Sequence, residues 1–428
     1  MKIFILCIFI LMYILIVILP KSKTFITLGA AIVCACGCLI AKSITFKEIL
    51  ESIDLNVVLM LLGIMVTVGV FSDSGMPNKL ADKLISKTPN SLVAFVVIAV
   101  LSGFISAFID NVATVLMMAP IGLAVAKKAN VSPVPVIISI AVSSNLQGAA
   151  TLVGDTTSIM LGSYAKMSFF DFFFLNGKLS IFWAVELGAL ITIPVLIFIF
   201  RKDNKKIQID SENIQVKSIF PTVLLLLNIV LLICFSFIQN KLDFTNGLIC
   251  IAIAIIAMIW FVCKNRNQTK KLIVESVDYM TVLFLIFLFI VIACVEKVGI
   301  ISDISNVFAK IGNKNIFLLY TLIVFGSVLL SAVIDNIPYV ATMLPVISGL
   351  TAGLGSVSPY LLYFGLLCGA TLGGNLTPVG ASANVVGIGI LQKEGYEVKN
   401  SDFFKIGIPF TLVAVLGGYA LIWFVWGM

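Results

Sequence analysis

Residues 106–111 of the chain read SAFIDN, and residues 331–336 read SAVIDN, 225 positions later. In each copy a proline follows the aspartate by ten residues, at Pro120 and Pro345. Both copies interrupt a long apolar stretch, where an aspartate at the centre of a membrane helix costs about 2.5–3.5 kcal/mol. A single copy would be interpreted as a helix-capping aspartate in an ordinary loop. Because the motif is repeated with the same flanks, it favours a functional turn inside a bilayer.

The composition of the chain is that of a membrane protein. Of its 428 residues, 60% are hydrophobic and 11% are charged, and the mean hydropathy is +1.15. Soluble domains carry about 25% charged residues, so a cytosolic enzyme and a nucleic-acid-binding domain are excluded. The sequence has no histidine, and it shows no nucleophile–base pair, metal cluster or Walker motif. We therefore expect neither an enzyme nor a bound cofactor.

Two further motifs recur at almost the same spacing as the first. ESID at 51–54 returns as ESVD at 275–278, and GAATLVG at 148–154 returns as GNLTPVG at 374–380. A near-constant offset over three separated motifs indicates an internal repeat. The predicted organisation is a first repeat over 1–200, a basic cytoplasmic linker over 201–218 and a second repeat over 219–428.

Each half of the chain contains the same kinds of apolar segment. The plain membrane spans are predicted at 3–19, 24–41, 55–71, 179–200, 219–239, 244–263, 278–295 and 407–426. Each half also has one stretch broken by Asp-Asn (91–126 and 315–350) and one interrupted by Gly, Asn, Thr and Ser (135–165 and 359–391). If the Asp-Asn stretch is a re-entrant hairpin, each half has five spans, and if the stretch crosses the membrane fully twice, each half has two more. Either way the number of spans is odd, which turns the second half upside down, as in the inverted repeats of secondary transporters.

The positive charges agree with this topology. With the linker in the cytoplasm, 19 of the 28 Lys and Arg residues fall on the inner side, as the positive-inside rule expects. The predicted fold class is therefore an all-α polytopic membrane protein with two five-span inverted halves. Each half has one re-entrant hairpin and one broken helix, and both termini are external.

The two hairpin tips and the two broken helices supply the candidate binding site. Carboxylates, amide carbonyls and unwound backbone carbonyls are hard oxygen ligands that suit a small cation, and half-helix N-termini can face an anion. We predict possible Na⁺ ligands at Asp110, Asn111, Asp335 and Asn336. The candidate ion- and substrate-binding residues are Ser106, Asp110, Asn111, Asn145, Thr151, Gly154, Asp155, Ser158, Ser331, Asp335, Asn336, Asn375, Thr377, Gly380, Ser382 and Asn384.

The repeat is not symmetric in charge at this site. Asp155 has Ala381 as its equivalent in the second half. The predicted site thus holds three carboxylates, Asp110, Asp155 and Asp335, and no Lys or Arg lies within either motif. A multiply charged anion would need several bound cations there, whereas a cation, a proton or a neutral solute such as arsenous acid fits more easily.

The Asp-Asn turns and the run GGNLTPVGASANVV at 373–386 resemble the ion transporter superfamily. Within it they are most similar to the arsenite-permease, sodium/proton-antiporter and P-protein branch of the citrate-transporter-like domain. The resemblance implies a scaffold domain, a mobile transport domain, a homodimer and an elevator-type motion. Related sodium/dicarboxylate symporters carry Ser-Asn-Thr at the hairpin tips, where this chain has Asp-Asn-Val and Asp-Asn-Ile at 110–112 and 335–337.

These observations predict a multi-pass secondary transporter of the cell membrane. We expect it to move a small inorganic ion or oxyacid of the arsenite or antimonite kind, coupled to H⁺ or Na⁺. A sodium/proton antiporter and a sodium-coupled symporter of citrate or dicarboxylates remain alternatives. The expected partners are the lipid bilayer and a small inorganic or organic solute, without nucleic acid. A channel or a membrane enzyme would require a pore-lining pattern or a reactive cluster that the sequence does not show.

Overall fold

The structure is a computed structural model that describes residues 1–206, 215–238, 241–312, 315–354 and 358–428. Over these residues the chain forms twenty α-helices. In the first half they are α1 (Lys2–Ile18), α2 (Lys23–Ile40), α3 (Phe46–Glu51), α4 (Leu55–Asp73), α5 (Met76–Ile85), α6 (Ser91–Ser106), α7 (Asn111–Lys128), α8 (Val134–Gly148), α9 (Thr156–Tyr164) and α10 (Ile181–Phe200). In the second half they are α11 (Phe220–Ser236), α12 (Thr245–Asn265), α13 (Thr269–Ser276), α14 (Tyr279–Lys297), α15 (Ile300–Gly312), α16 (Ile316–Ser331), α17 (Asn336–Leu354), α18 (Pro359–Gly373), α19 (Ser382–Lys393) and α20 (Asn400–Ile422).

Strand structure is almost absent from the described part of the chain. Phe174–Leu175 and Lys178–Leu179 form one short antiparallel pair between α9 and α10. An all-α membrane fold is confirmed.

Both Asp-Asn stretches are broken where the sequence predicts. The first stretch divides into α6 and α7 around residues 107–110, and the second divides into α16 and α17 around residues 332–335. Amphipathic helices α5 and α15 precede the two stretches. Asp110 ends the first break as the N-cap of α7, since its carboxylate accepts the N–H groups of Val112 and Ala113 at 3.0 and 3.3 Å. The capping and functional-turn interpretations are therefore compatible at this residue.

The two interrupted spans are broken helices. In the first half, residues 149–155 separate α8 from α9. In the second half, a 3₁₀ turn at Gly374–Leu376 and the following extended residues separate α18 from α19. Backbone that leaves the helical hydrogen-bond ladder at membrane depth must be buried in protein or line a cavity. The first break meets this requirement by burial of all its residues, whereas in the second break Gly374, Asn375, Gly380 and Ala381 are buried and Val379 is exposed.

The order of helices is the same in the two halves. Each of α1 to α10 has a counterpart ten helices later, of similar length and with the same breaks. Residues 207–214 of the predicted linker lie outside the described residues. Its described ends are anchored, because Lys205 N–H donates to Ser91 Oγ at 2.8 Å and Lys217 N–H donates to Ser74 O at 3.0 Å. The opposite orientation of the two halves in the membrane stays a prediction.

Seven helical stretches of the described chain are long and apolar enough to cross a membrane. They are Pro20–Ile40, Phe46–Asp73, Asn111–Lys128, Ile181–Phe200, Thr245–Ser276, Tyr279–Lys297 and Asn400–Gly427. Six of them correspond to plain spans of the sequence prediction. The other two predicted plain spans are the shorter apolar helices α1 and α11.

The centre of the protein is formed by α8 and α18, in which nearly every residue is buried. Around them, α6 and α7 pack on α8, and the equivalent α16 and α17 pack on α18. The equivalent helices α10 and α20 pack against each other. A Cβ at Gly188 would lie 3.0 Å from Ala414 O, and one at Gly418 would lie 3.6 Å from Ala184 O. These two helices therefore run antiparallel. In a separate set of contacts, α4 packs on α12 and α2 packs on α14.

Candidate functional site

A cavity of about 740 Å³ lies where α4, α7, α13, α14 and the starts of α9, α17 and α19 meet. It collects residues of both hairpin tips and both helix breaks, which are far apart in the sequence. Six of the predicted site residues line it: Asp110, Asn111, Asn145, Asp155, Asn336 and Ser382. The other ten predicted site residues hold these segments in place or lie beside them.

A chain of buried side-chain amides connects the first hairpin tip to both broken helices. Asn111 Nδ2 donates to Asn145 Oδ1 at 3.2 Å. Asn145 Nδ2 in turn donates to Asn375 Oδ1 at 2.8 Å and to Asn384 Oδ1 at 3.1 Å. All four side chains are at least nine-tenths buried. Because hydrogen-bonded polar networks in a low-dielectric interior are rigid when every member is satisfied, this chain fixes the tip relative to α8, α18 and α19.

Serine hydroxyls complete the first tip. Ser106 Oγ donates to Asn111 Oδ1 at 2.9 Å, and Ser144 Oγ donates to Ser106 Oγ at the same distance. Ser144 was not among the predicted residues, although it immediately precedes Asn145 in the polar segment of α8. Thr151 Oγ1 donates to Ala107 O, which attaches the break between α8 and α9 to the same tip.

Glycines allow the breaks to approach the tips closely. A Cβ at Gly148 would lie 2.3 Å from Asn111 Oδ1. One at Gly154 would lie 2.6 to 2.9 Å from the carbonyl oxygens of Gly148, Ser106 and Ala107. One at Gly380 would lie 2.6 Å from Gly374 O and 3.0 Å from Ala332 O. Backbone oxygens of a tip and of a break thus lie close together beside one glycine in each half, and carbonyl oxygens are ligands that suit a small hard cation.

The second hairpin tip reaches the first broken helix. Asp155 Oδ2 accepts a hydrogen bond from Thr157 Oγ1 at 3.0 Å and from Asn336 Nδ2 at 3.4 Å. Thr157 also contacts Thr371 Oγ1 at 3.2 Å. Asp155 belongs to the first half in sequence, but its partner Asn336 is the tip residue of the second half. Its equivalent, Ala381, offers no such partner to Asn111, which binds Asn145 instead.

Asp335 differs from Asp110 because it has a basic partner. Lys23 Nζ, at the start of α2, lies 2.6 Å from Asp335 Oδ2, and the two side chains are 19% and 18% exposed. Lys23 also lies 5.2 Å from the ring centroid of Phe284 on α14. The predicted topology places Lys23 among the basic residues of the cytoplasmic side, and the sequence has no Lys or Arg within either motif. No short-range pattern links residue 23 to residue 335, so sequence reasoning could not find this pair.

The remaining predicted residues support the second tip and the breaks. Thr377 Oγ1 donates to Ala332 O at 2.6 Å, which mirrors the contact of Thr151 in the first half. Ser331 Oγ donates to Ala370 O, and Ser158 Oγ donates to Gly148 O at 3.3 Å. Asn384 Nδ2 donates to Gly374 O and Thr377 O, both at 3.0 Å. These residues shape the unwound segments without lining the cavity.

Three further acidic residues line the cavity and were not predicted as site residues: Asp73, Glu275 and Asp278. Asp278 caps α14 through Thr281 N–H at 3.0 Å, and Asp73 pairs with Lys217 at 2.9 Å. Glu275 and Asp278 belong to the repeated ESVD motif, which the sequence interpretation used only to align the halves. With Asp110 and Asp155 they make five acidic residues, and none of the described residues that line the cavity is basic.

The chain matches the family model described as citrate transporter over residues 13–369. It is 30% identical to an uncharacterized transporter of Mycobacterium bovis, over 97% of this chain and 96% of that protein. It is 31% identical to a 46 kDa membrane protein of Mycobacterium leprae, over 99% and 98% of the two chains. The human P protein is 24% identical over 91% of this chain and 56% of its own length.

Among solved structures, the YdaH transporter of Alcanivorax borkumensis has a similar fold. Its TM-score is 0.61 at 14% sequence identity, and the match covers 89% of this chain and 88% of that one. At this identity the likeness concerns the fold alone.

Proposed function

This chain belongs to the citrate transporter family, and on that premise we propose that it is an ion-coupled secondary transporter of a small inorganic ion or oxyacid. Membership makes it a multi-pass transporter of the cell membrane rather than an enzyme. The proposed substrate is a small inorganic ion or oxyacid similar to arsenite or antimonite. The coupling ion is H⁺ or Na⁺.

The acidic lining of the cavity is the observation that carries the proposal. Five carboxyl groups face or border a space of about 740 Å³, without a basic residue among its described lining. A cation or a neutral oxyacid can enter such a space at low electrostatic cost. A multiply charged anion would have to bring several cations with it, because like charges at close range repel strongly in a low-dielectric site.

The two glycine-centred clusters of backbone oxygens support an ion-coupled mechanism. At Gly154, the carbonyl oxygens of Ser106, Ala107 and Gly148 pack so closely against the glycine that an added Cβ would lie within 2.9 Å of each. With the Asp110 carboxylate and the Asn111 amide at the same tip, they form the candidate Na⁺ position of the first half. Asn336, the Gly374 and Ala332 carbonyls and Asp335 form the corresponding position of the second half. When bound there, the ion would join the tip to the break.

Access from one side supports an alternating-access, elevator-type mechanism. The cavity reaches Asp73 and Asp278, which the predicted topology places at the cytoplasmic ends of α4 and α14, and Glu275 on the adjoining α13. Towards the other end of α4, Asn56 Nδ2 donates to Ser163 Oγ on α9 at 3.3 Å. We propose that this contact closes the external side and that α6 to α10 and α16 to α20 move relative to α2, α4, α12 and α14.

Two alternative functions are each favoured by one observation. Sodium/proton antiport is favoured because none of the described residues that line the cavity is basic. The lining then offers no positive charge to bind an anion, so only cations would be transported. Sodium-coupled transport of citrate or a dicarboxylate is favoured by the family description and by Lys23, which lies beside the second tip. A homodimer is part of the proposal on the family resemblance, and mass measurement of the purified protein in detergent tests it.

The deciding experiment uses purified protein in proteoliposomes. Uptake of arsenite, radiolabelled Na⁺ and radiolabelled citrate is measured under an imposed Na⁺ gradient, an imposed pH gradient and neither, with protein-free liposomes as control. Saturable, gradient-driven arsenite uptake is expected. Gradient-driven uptake of Na⁺ alone or of citrate would select one of the two alternative functions. Uncoupled flux at channel rates would contradict a carrier altogether.

A further inference from the structure

A second, small cavity of about 60 Å³ lies behind the broken helix α8, between α6, α8, α10 and α20. It does not share a lining residue with the main cavity. One carboxylate lines it, that of Glu186 on α10, together with Ser143, Gln147, Thr192 and apolar side chains. Its volume exceeds that of a single water molecule, and its mostly apolar lining brings the few polar side chains together.

The side chain of Gln147 is aimed into this cavity and is incompletely satisfied. Gln147 is 5% exposed, and its Oε1 has no hydrogen-bond partner. A buried, unpaired amide oxygen costs about 1–3 kcal/mol. The missing partner must be a donor, because an amide oxygen only accepts hydrogen bonds.

Glu186 can supply this donor in one of its two protonation states. An ionised carboxylate accepts hydrogen bonds but cannot donate one, whereas a protonated carboxyl group has one O–H donor. An ionised carboxylate in a membrane span also costs more than a neutral one. Proton binding by the half-buried Glu186 would therefore provide a donor for Gln147 Oε1 in the shared cavity and remove a charge from the membrane span in a single step.

No other titratable group competes for this role among the described residues that line the cavity. The helices α6 and α8 carry no titratable residue. On α20 there are Asp402, Lys405 and Tyr419; Asp402 and Lys405 contact each other at 3.5 Å, and the Tyr419 hydroxyl contacts Thr321 at 2.8 Å. On α18, which also packs on α10, there are Tyr360, Tyr363 and Cys368. Arg201 ends α10, about 22 Å along the helix from Glu186 at the usual rise per residue.

We infer that Glu186 and Gln147 form a proton-binding site, in which a protonated Glu186 donates a hydrogen bond to Gln147 Oε1. The site is separate from the proposed ion and substrate positions. It is connected to them through α8, because Gln147 precedes Gly148, where an added Cβ would lie 2.3 Å from Asn111 Oδ1. Gln147 also packs on Gly103, where a Cβ would lie 3.1 Å from its Cδ. Protonation at Glu186 thus acts on the helix end that holds the first hairpin tip.

The test measures protonation directly and does not depend on which solute is transported. Infrared spectra of the purified protein in lipid bilayers are recorded at neutral pH for wild type, Glu186→Gln and Thr192→Val. Thr192 lines the same cavity, but its hydroxyl already donates to Ala189 O at 2.7 Å in its own helix. We expect a carboxylic-acid C=O band in wild type and Thr192→Val that is missing from Glu186→Gln. Since a solvated Glu, with a pKa of about 4.3, is ionised at neutral pH, absence of this difference would overturn the proposal.

The role of Gln147 as the hydrogen-bond acceptor of Glu186 is tested by Gln147→Leu. This substitution keeps a similar side-chain volume but removes the amide oxygen. The acid band of Glu186 is expected to persist and to shift in frequency, because its O–H loses the amide oxygen. An unchanged frequency would overturn the pairing. If Glu186→Gln cannot be recovered folded, the wild-type band and its shift in Gln147→Leu still decide the proposal. A negative result here leaves the proteoliposome experiment, and with it the proposed transport function, unaffected.

Discussion

Lys23 Nζ lies 2.6 Å from Asp335 Oδ2, so the tip of the second hairpin is held by a basic residue from a helix outside the hairpin. The equivalent aspartate of the first tip, Asp110, is held by two backbone N–H groups of its own helix. The two tips therefore carry different net charges, although their sequences are nearly the same. In an elevator-type movement the Lys23 pair would have to break, because α2 and α17 would move apart.

Replacing the two aspartates should therefore have different consequences. Asp110→Asn keeps the shape of the cap, and we expect a severe loss of transport with little loss of folded protein. Asp335→Asn leaves the partly buried Lys23 without its carboxylate. Removal of one partner from a buried ion pair costs about 3 kcal/mol, so a lower thermal stability is also expected. The measurement is gradient-driven uptake together with thermal unfolding of the same preparations.

A charge exchange provides the control for this pair. Lys23→Asp combined with Asp335→Lys restores opposite charges at the same two positions and should recover part of the stability lost in either single variant. Normal transport by both Asp110→Asn and Asp335→Asn would leave the aspartates with a capping role only.

The amide network should depend on Asn145 more than on any of its neighbours in α8. Asn145→Ala removes the group that bonds Asn111, Asn375 and Asn384. Each buried polar group left without a partner costs about 1–3 kcal/mol, so a large decrease in thermal stability is expected. Ser139→Ala is the matched control: Ser139 is fully buried in the same helix, but its Oγ has no hydrogen-bond partner. Equal effects of the two substitutions would show that the network does not stabilise the protein.

Cross-linking can distinguish a contact between the moving and the fixed helices, which must open during transport, from a contact within the moving unit, which can stay closed. Asn56 and Ser163 meet at 3.3 Å between α4 and α9, so Asn56→Cys with Ser163→Cys should stop uptake when oxidised and restore it when reduced. Lys127 and Glu394 meet at 2.6 Å between α7 and α19, which belong to the same proposed moving unit. A cysteine pair at these positions, bridged by a bifunctional thiol reagent because the long Lys and Glu side chains separate the Cβ atoms beyond disulfide range, should leave uptake unchanged in both the bridged and the unbridged state. Uptake by the oxidised 56–163 pair would rule out the proposed movement.

The predicted topology is tested by labelling single cysteines in a cysteine-free background. Asn204→Cys and Gln268→Cys should react with an impermeant reagent on the cytoplasmic side, and Leu242→Cys should react on the outer side. These positions flank the pair α11 and α12, which must cross twice if the halves are inverted. If 204 and 268 react from opposite sides, both the two-span connector and the inverted repeat are wrong.

The helix breaks and the residues around them could be predicted from the sequence because they depend on local signals. Gly148, Gly154 and the Asp-Asn pairs interrupt apolar stretches, and the repeat shows that the interruptions are not accidental. The pairing of Asp155 with Asn336, 181 positions away, could not be predicted in this way. It depends on how α9 and α17 pack, whereas the repeat assigned Asp155 only to the first half of the chain.

Lys23 and the ESVD motif also make contacts that local sequence patterns could not predict. Lys23 was interpreted by its charge alone, as an orientation signal, because its partner is 312 positions away. Glu275 and Asp278 were recognised only as part of a repeated sequence motif. Which faces of α13 and α14 point to the cavity depends on tertiary packing, which the sequence does not show. Composition and periodicity therefore predict the spans and the breaks, whereas the electrostatics of the site requires the fold.

Asp155 is the residue at which the two halves differ most in chemistry, and it should control the response to protons. Its carboxylate lines the cavity, is 5% exposed and accepts hydrogen bonds from Thr157 and Asn336. Its counterpart Ala381 cannot bind a proton. Asp155→Ala should therefore change the pH profile of uptake more than the solute concentration needed for half-maximal uptake, whereas Asp335→Asn should do the reverse. Thr157→Val is the control, because it removes one hydrogen bond to the same carboxylate and leaves the charge. Uptake is measured against pH and against solute concentration for all three variants in the same vesicles, and an unchanged pH profile in Asp155→Ala would make Asp155 a structural link between α9 and the second tip.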